Sequence, residues 1–320
     1  MERYVVAFPD DEFALAVFQK LEKIEDGFCF NPIEKLVFRD KEVKIRIRDN
    51  VRKSECFFIH DSNRNPSDWL LEIAFVNEAL HNSSVSEITD VFPYLRFSRQ
   101  DRKDKSRVAQ NAKVVANVIN LCADRVVTLD VHAPQIALAS SIPFDNLYSF
   151  SIVIDHLIKN HPNILENIML MSPDAGGAKR VEAFRNRLSY SGIDSDIVIG
   201  YKSRPREGEI GVFKMIGDVE NKNVIIIDDI IDSGKTLVEA AQELRKRGAK
   251  KIYAYGTHAL FTEGVDKVVE NFERVFVSDT LKQTKHEKLE IISVAELFAE
   301  AIKRISNGES LSELFETKKD

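Results

Sequence analysis

Along the chain, short apolar runs alternate with longer stretches in which apolar residues return every third or fourth position. The runs at 3–8, 55–60, 125–129, 167–172, 194–200, 224–227, 251–255 and 274–278 have the length of single strands. Helical spacing marks 12–24, 69–80, 109–121, 150–159, a segment ending near 188, the residues from Leu237 to the stop at Gly248, and 294–305. Such an alternation predicts an α/β chain with mainly parallel sheets flanked by helices. One stretch departs from it. Val43, Ile45 and Ile47 alternate with Lys44, Arg46 and Arg48, the pattern of a one-sided antiparallel strand at a charged edge or in an interface hairpin. The strand-helix pattern restarts between 145 and 150, which predicts two domains, 1–148 and 149–320.

The most informative run is VIIIDDIIDSGKTLVEA at 224–240. Val224 to Ile227 is a β-branched run of a strand buried on both faces. Asp228 and Asp229 follow it, then the small-residue turn Asp232, Ser233, Gly234, Lys235 and Thr236, then a helix. Backbone N–H groups and the dipole at a helix N-terminus favour an anion, so a phosphate is expected beside Gly234 to Thr236. Two carboxylates at a strand's C-terminal end suit a ribose diol or a hard divalent cation. A Walker A loop is excluded, because the position that requires its first glycine holds Asp229.

Four further segments carry candidate chemistry. FPYLRFSRQDRKDKSR at 92–107 concentrates Arg96, Arg99, Arg102, Lys103, Lys105 and Arg107 after an apolar start, and suits either a polyphosphate or a salt-bridged loop. His132 directly follows a strand, the usual place for functional groups in an α/β sheet. SPDAGGAKR at 172–180 repeats the order strand, acid, glycine turn, helix, without a full dinucleotide fingerprint. Residues 201–208 read as a polar cationic loop.

Composition narrows the classes. With 320 residues and 44% hydrophobic content, two ordinary cores are attainable. A net charge of −6 argues against general nucleic-acid binding. Cys29, Cys56 and Cys122 are odd in number and unpaired in spacing, which predicts neither a disulfide framework nor a zinc knuckle. No apolar run reaches membrane-spanning length and the N-terminus lacks a leader pattern, so a cytoplasmic protein with no membrane partner is expected.

The loop at 228–236 resembles the phosphoribosyl-pyrophosphate loop of the type I phosphoribosyltransferase superfamily. Together with RQDRKDKSR, LDVHAPQI at 129–136, SPDAGGAKR and KSRPR at 202–206, it makes nearly the whole chain similar to ribose-phosphate pyrophosphokinases. The resemblance implies two tandem domains of type I phosphoribosyltransferase-like fold. It also implies transfer of the diphosphoryl group of ATP to the 1-hydroxyl of ribose 5-phosphate, with Mg2+ as cofactor and AMP released. Residue by residue, it implies that Phe38, Asp40 and Glu42 reach a neighbouring subunit's adenine, and that Arg99, Gln100 and His132 bind ATP. Asp228, Asp229 and Asp232 to Thr236 would bind ribose 5-phosphate, His132, Asp174, Asp228 and Asp229 the metal, and Lys202 and Arg204 would be catalytic. The family-typical assembly is a homo-oligomer, a hexamer built from dimers.

The chain departs from the family pattern at Lys235 and Lys41, where glycine is usual, at Lys44, and across HDSNRNPSDW at 60–69. Two alternatives accompany the enzyme reading. A base-using phosphoribosyltransferase leaves RQDRKDKSR and KSRPR without a use, and a non-catalytic associated subunit would have lost cations or acids that this chain retains.

Overall fold

The structure, a computed structural model, describes residues 2–103, 105–203 and 212–315. The chain divides into two units. The first contains β1 (Arg3–Ala7), α1 (Glu12–Ile24), β2 (Phe28–Val37), β3 (Val43–Ile47), β4 (Glu55–Ile59), α2 (Pro66–Asn82), β5 (Glu87–Phe92), α3 (Asn111–Ile119), β6 (Arg125–Leu129) and β7 (Phe144–Leu147). The second contains α4 (Phe150–Asn160), β8 (Ile168–Ser172), α5 (Ala178–Tyr190), β9 (Asp196–Ser203), β10 (Val212–Ile216), β11 (Asn223–Ile231), α6 (Lys235–Lys246), β12 (Lys251–Ala259), α7 (Asp266–Val269), β13 (Arg274–Ser278) and β14 (Leu289–Ile292). The last helix, α8 (Ala295–Asn307), belongs to the first unit.

The two sheets share one topology. Their strand orders are β3-β2-β1-β4-β5-β6-β7 and β10-β9-β8-β11-β12-β13-β14, parallel throughout except for the β2/β3 and β9/β10 pairs. The run Val224 to Ile227 shows why the strands are so apolar. Val224 and Ile226 face a core shared with Leu237, Ala240, Ala241 and Leu244 of α6. Ile225 and Ile227 face the opposite core, built with Val153, Ile154 and Leu157 of α4 and Val181, Phe184 and Leu188 of α5. A strand covered on both sides has no polar alternation to show. In the first unit Val6, Phe58 and Phe92 pack on Trp69, Ile73 and Val76 of α2 and Val115 of α3.

The division after Tyr148 is accompanied by a difference from the expected 149–320 span, because Val294–Leu314 joins the first unit. The edge of Phe298 on α8 meets the ring of Phe13 on α1 at 5.5 Å, and Lys20 pairs with Glu296 at 3.1 Å. Periodicity shows that a helix has an apolar face, but not which sheet receives it. The charged strand at 43–47 is an edge strand, as its pattern predicts. No helix among the described residues is long and apolar enough to cross a membrane.

Candidate active site

In the second unit β8 pairs with β11 only from Asn223↔Ile168 to Ile226↔Met171, whereas β11 continues beside β12 to Ile231↔Ala259. Asp228 and Asp229 therefore lie within β11, on the part that β8 has released, rather than ending a strand at Ile227. From β8 the sheet is extended to one side by β9, and from β11 to the other side by β12. That is a topological switch point, where open α/β sheets hold ligands.

The acids are close and poorly hydrated. Asp229 is buried, Asp228 is half-buried, and the Asp229 backbone N–H donates to Asp228 Oδ1 at 2.9 Å. Burial, and then the neighbouring Asp229 charge, push the Asp228 carboxyl well above its ordinary range. Arg180 opposes this only in part, with its Nη1 at 3.2 Å from Asp229 Oδ1 and 3.8 Å from Asp228 Oδ1. Asp174 adds further negative charge. A cation or hydroxyl donors arriving here would be strongly favoured.

Beyond the acids the chain turns through Asp232 and Ser233 into α6. The turn is tied down, since Thr262 Oγ1 donates to Asp232 Oδ1 at 2.7 Å and the Thr262 N–H to the Asp232 carbonyl at 3.1 Å. Gly234 has φ of 75°, and a Cβ there would stand 2.2 Å from Val268 Cγ2, so only glycine fits. As the N-cap of α6 it supplies no side-chain acceptor, which leaves the helix N-terminus available to an anion. Lys235 is exposed and its Nζ pairs with Glu263 at 3.1 Å.

The turn after β8 faces the same switch point. Asp174 is exposed, its Oδ1 accepts from the Gly177 N–H at 2.9 Å, and Ser172 Oγ donates to the Asp174 carbonyl at 2.6 Å. A Cβ on Gly177 would lie 2.6 Å from Ser172 Oγ and 3.5 Å from Arg180 Nη1. The glycine thus lets the turn close while Arg180 reaches the acids. Sequence reasoning gave Arg180 no role. The signal was present in SPDAGGAKR, which sets this arginine in the first turn of a helix that begins beside the acidic pair.

The other expected residues fall as follows. Phe38, Asp40 and Glu42 form the tip of the β2/β3 hairpin, all exposed, with the Phe38 N–H donating to the Glu42 carbonyl at 2.8 Å and the Glu42 N–H to Asp40 Oδ1 at 3.0 Å. Lys41 takes φ of 73° in that turn, a conformation that glycine adopts freely. Arg99 and Gln100 are exposed and border a cleft of about 470 Å³ with Arg102 and Val108. Exposed His132 follows β6 after a turn with Asp130 at φ of 40°. Lys202 is not in a loop: β9 continues through it and pairs it with Phe213 of β10. Arg204 lies outside the described residues.

Asp174, Asp228 and Asp229 are not gathered into a ready-made cage. Among the described residues the one group of three ligand atoms within 4.8 Å is His156, His161 and Glu290. The acids nevertheless fit a hard divalent cation, since Mg2+ keeps several waters and takes one or two carboxylates plus substrate phosphates. The mutually repelling pair of half-buried Asp228 and buried Asp229 supplies that donor set.

A doubly wound sheet with an acidic pair at its switch point and a glycine turn opening a helix is the architecture of the type I phosphoribosyltransferase-like class. Comparison with known proteins narrows this. A profile described as the N-terminal domain of ribose phosphate pyrophosphokinase matches residues 10–122, and one described as phosphoribosyl synthetase-associated domain matches 203–316. The ribose-phosphate pyrophosphokinase of Chlorobaculum tepidum is 42% identical over 287 residues, covering 88% of this chain and 86% of that protein. That of Vibrio vulnificus is 39% identical over 286 residues, with 87% and 89% covered. The crystal structure of phosphoribosylpyrophosphate synthetase from Mycobacterium smegmatis matches with a TM-score of 0.84 and 25% identity, over 96% of this chain and 100% of that one. The chain belongs to the ribose-phosphate pyrophosphokinase family, a family of enzymes.

Proposed function

We propose that this enzyme makes 5-phosphoribosyl 1-pyrophosphate from ATP and ribose 5-phosphate. The 1-hydroxyl oxygen of the sugar attacks the β-phosphorus of ATP and gives up its proton to solvent, the bond from that phosphorus to the α,β-bridging oxygen breaks, and AMP leaves. The observation that carries the reading is the acidic pair on the free part of β11, with the uncapped N-terminus of α6 behind Gly234. In this reading the 5-phosphate rests on the backbone of Asp232 to Thr236 and the helix dipole. Asp228 and Asp229 hold the ribose hydroxyls directly or through a cation, and Arg180 limits their repulsion.

Mg2+ supplies charge neutralisation on the transferring phosphoryl groups. Asp228, Asp229, Asp174 and His132 are the residues assigned to it. Phe38, Asp40, Glu42, Arg99, Gln100 and His132 hold ATP, with the hairpin residues serving a neighbouring subunit of a homo-oligomer, a hexamer built from dimers. Lys202 and Arg204 meet the diphosphoryl group as charge shifts toward the leaving AMP. Such a transfer needs positioning and electrostatic stabilisation more than covalent chemistry.

The test is AMP release from ATP with ribose 5-phosphate and Mg2+ and no nucleobase present. Release that requires both substrates supports the proposal. Release only with a nucleobase, or none under conditions where the protein is folded, contradicts it.

A further inference from the structure

On the far edge of the second sheet, two imidazoles and a carboxylate converge away from the acidic pair. His156 Nε2 lies 2.7 Å from Glu290 Oε1 and His161 Nε2 lies 2.8 Å from that same oxygen. The ligand atoms of all three residues lie within 4.8 Å of one another. His156 is in the last turns of α4 and His161 is its C-cap, while Glu290 lies on β14, opposite Phe276 in the register. Two strands, β12 and β13, separate β14 from the β11 strand that carries Asp228 and Asp229. We propose that His156, His161 and Glu290 form a binding site for a borderline transition-metal ion of the zinc(II) class, which clasps the end of α4 to the edge strand β14.

Four observations support the assignment. The donor set, two imidazole nitrogens and one carboxylate oxygen, is one that zinc(II) accepts with water in the fourth position, and four residues between the histidines match zinc-site spacing. All three side chains are only 21–24% exposed, sheltered yet open enough to admit an ion and a water. Outer partners hold the ligands: Arg274 Nη1 donates to Glu290 Oε2 at 2.7 Å, leaving Oε1 for the ion, and Asn160 meets His156 Nδ1 at 3.1 Å. The ligands stand on two regular elements, His156 and the C-cap His161 on α4 and Glu290 on β14, which fixes their relative positions.

Binding is chemically balanced without any co-reactant. A neutral imidazole moves its proton from Nε2 to Nδ1, the Nε2 lone pair turns to the ion, and the Asn160 amide rotates to accept from His156 Nδ1. The hydrogen-bond distances of 2.7 and 2.8 Å must open by roughly half an ångström, since ligands about 2.0–2.1 Å from a tetrahedral ion stand farther apart than that. The Arg274 guanidinium, 2.7 Å from Glu290 Oε2, repels the ion and lowers its affinity.

The test is titration of the chelator-stripped full chain with cobalt(II), and then zinc(II), in excess Mg2+. Magnesium occupies oxygen-rich sites, while a site with two imidazoles gives cobalt(II) the intense visible absorption of tetrahedral coordination. One such equivalent per chain is expected, displaced by zinc(II), with zinc(II) raising Tm by mass action. Asn160→Ala should weaken it by ~10-fold through loss of the outer partner. His161→Ala and the isosteric Glu290→Gln should abolish the band while leaving AMP formation unchanged. No tetrahedral band in the wild-type chain, or a band that persists in Glu290→Gln, overturns the proposal.

Discussion

The two sheets have the same strand order, yet only the second has an open switch point. Counting from the last paired residues, Phe58 of β4 corresponds to Ile226 of β11, so His60 and Asp61 occupy the places of Asp228 and Asp229. In the first unit these places are satisfied internally. His60 is buried, with Nε2 at 3.1 Å from Asp90 Oδ1 and its ring stacked on Phe92 at 4.1 Å, and Asn77 donates to the other Asp90 oxygen at 2.8 Å. Asp61 pairs with Arg64, which also reaches Asp10 and lies over Phe8. The helix that follows is capped as well. Asn65 accepts from the Ser67 N–H at 3.0 Å and Pro66 has no N–H to offer, whereas Gly234 leaves the corresponding groups of α6 uncapped. Topology alone therefore does not make a sugar-phosphate site. The proposed site adds acids that Arg180 neutralises only in part and a helix N-terminus without a side-chain cap.

Substitutions can break that contrast. The largest effect is expected where the β9/β10 hairpin of the second unit corresponds to the β2/β3 hairpin of the first. Lys202→Ala or Arg204→Ala should lower kcat by ~10²–10³ with little change in either KM or in Tm, because the proposed contact with the diphosphoryl group is one of the transition state. Phe38→Ala should instead raise the KM for ATP. Steady-state kinetics separates the two, and near wild-type kcat in both cation variants would remove them from the mechanism.

The next effect concerns the acids. Asp229→Ala should raise the KM for ribose 5-phosphate by ~10–100-fold, about 1.4–2.8 kcal/mol, and much more than the KM for ATP. Its counterpart Asp61→Ala should leave the sugar KM unchanged. Equal effects at the two positions would erase the distinction between the units.

A smaller effect compares the helix starts. Gly234→Ala forces a Cβ toward Val268 and a left-handed conformation costing roughly 1–2 kcal/mol, so Tm should fall and the ribose 5-phosphate KM rise. Asn65→Ala should cost about 1 kcal/mol in stability, read by thermal unfolding, with no change in that KM.

The smallest effect is a pH dependence in the first unit. Burial, opposed by the Ala14 and Phe13 N–H groups, pushes the Asp11 carboxyl up to about 7. A folded-state value above the unfolded one means that the folded chain takes up the proton. The cost is full above pH 7 and is relieved as pH falls from about 7 toward 4. Asp11→Asn keeps the capping acceptor without the charge, so it should raise Tm at pH 8 and leave it nearly unchanged near pH 4. Calorimetry at the two pH values checks the sign.

Much of this was legible in the sequence, for identifiable reasons. The strand and the acid-glycine order at 224–236 were readable because a doubly covered strand is uniformly apolar and a phosphate turn needs small residues. β5 was hidden, since Thr89 and Asp90 interrupt its apolar run and the buried partners His60 and Asn77 that make Asp90 tolerable are distant in sequence. β2 was hidden by Asn31, Pro32, Glu34 and Lys35. The cationic segment at 201–208 read as a loop, but hydrogen bonding to β10 extends β9 through Lys202. Arg180, α8's place in the first unit and the convergence of His156 and His161 on Glu290 are all contacts between distant segments, which no local pattern records.

The central claim is that one switch point of the two binds ribose 5-phosphate, through Asp228 and Asp229. Isothermal titration of the chain with ribose 5-phosphate in Mg2+ tests it directly. One site per chain is expected, lost in a chain carrying Asp228→Ala and Asp229→Ala and intact in His60→Gln. Two sites per chain, or undiminished binding after both acids are removed, would contradict it.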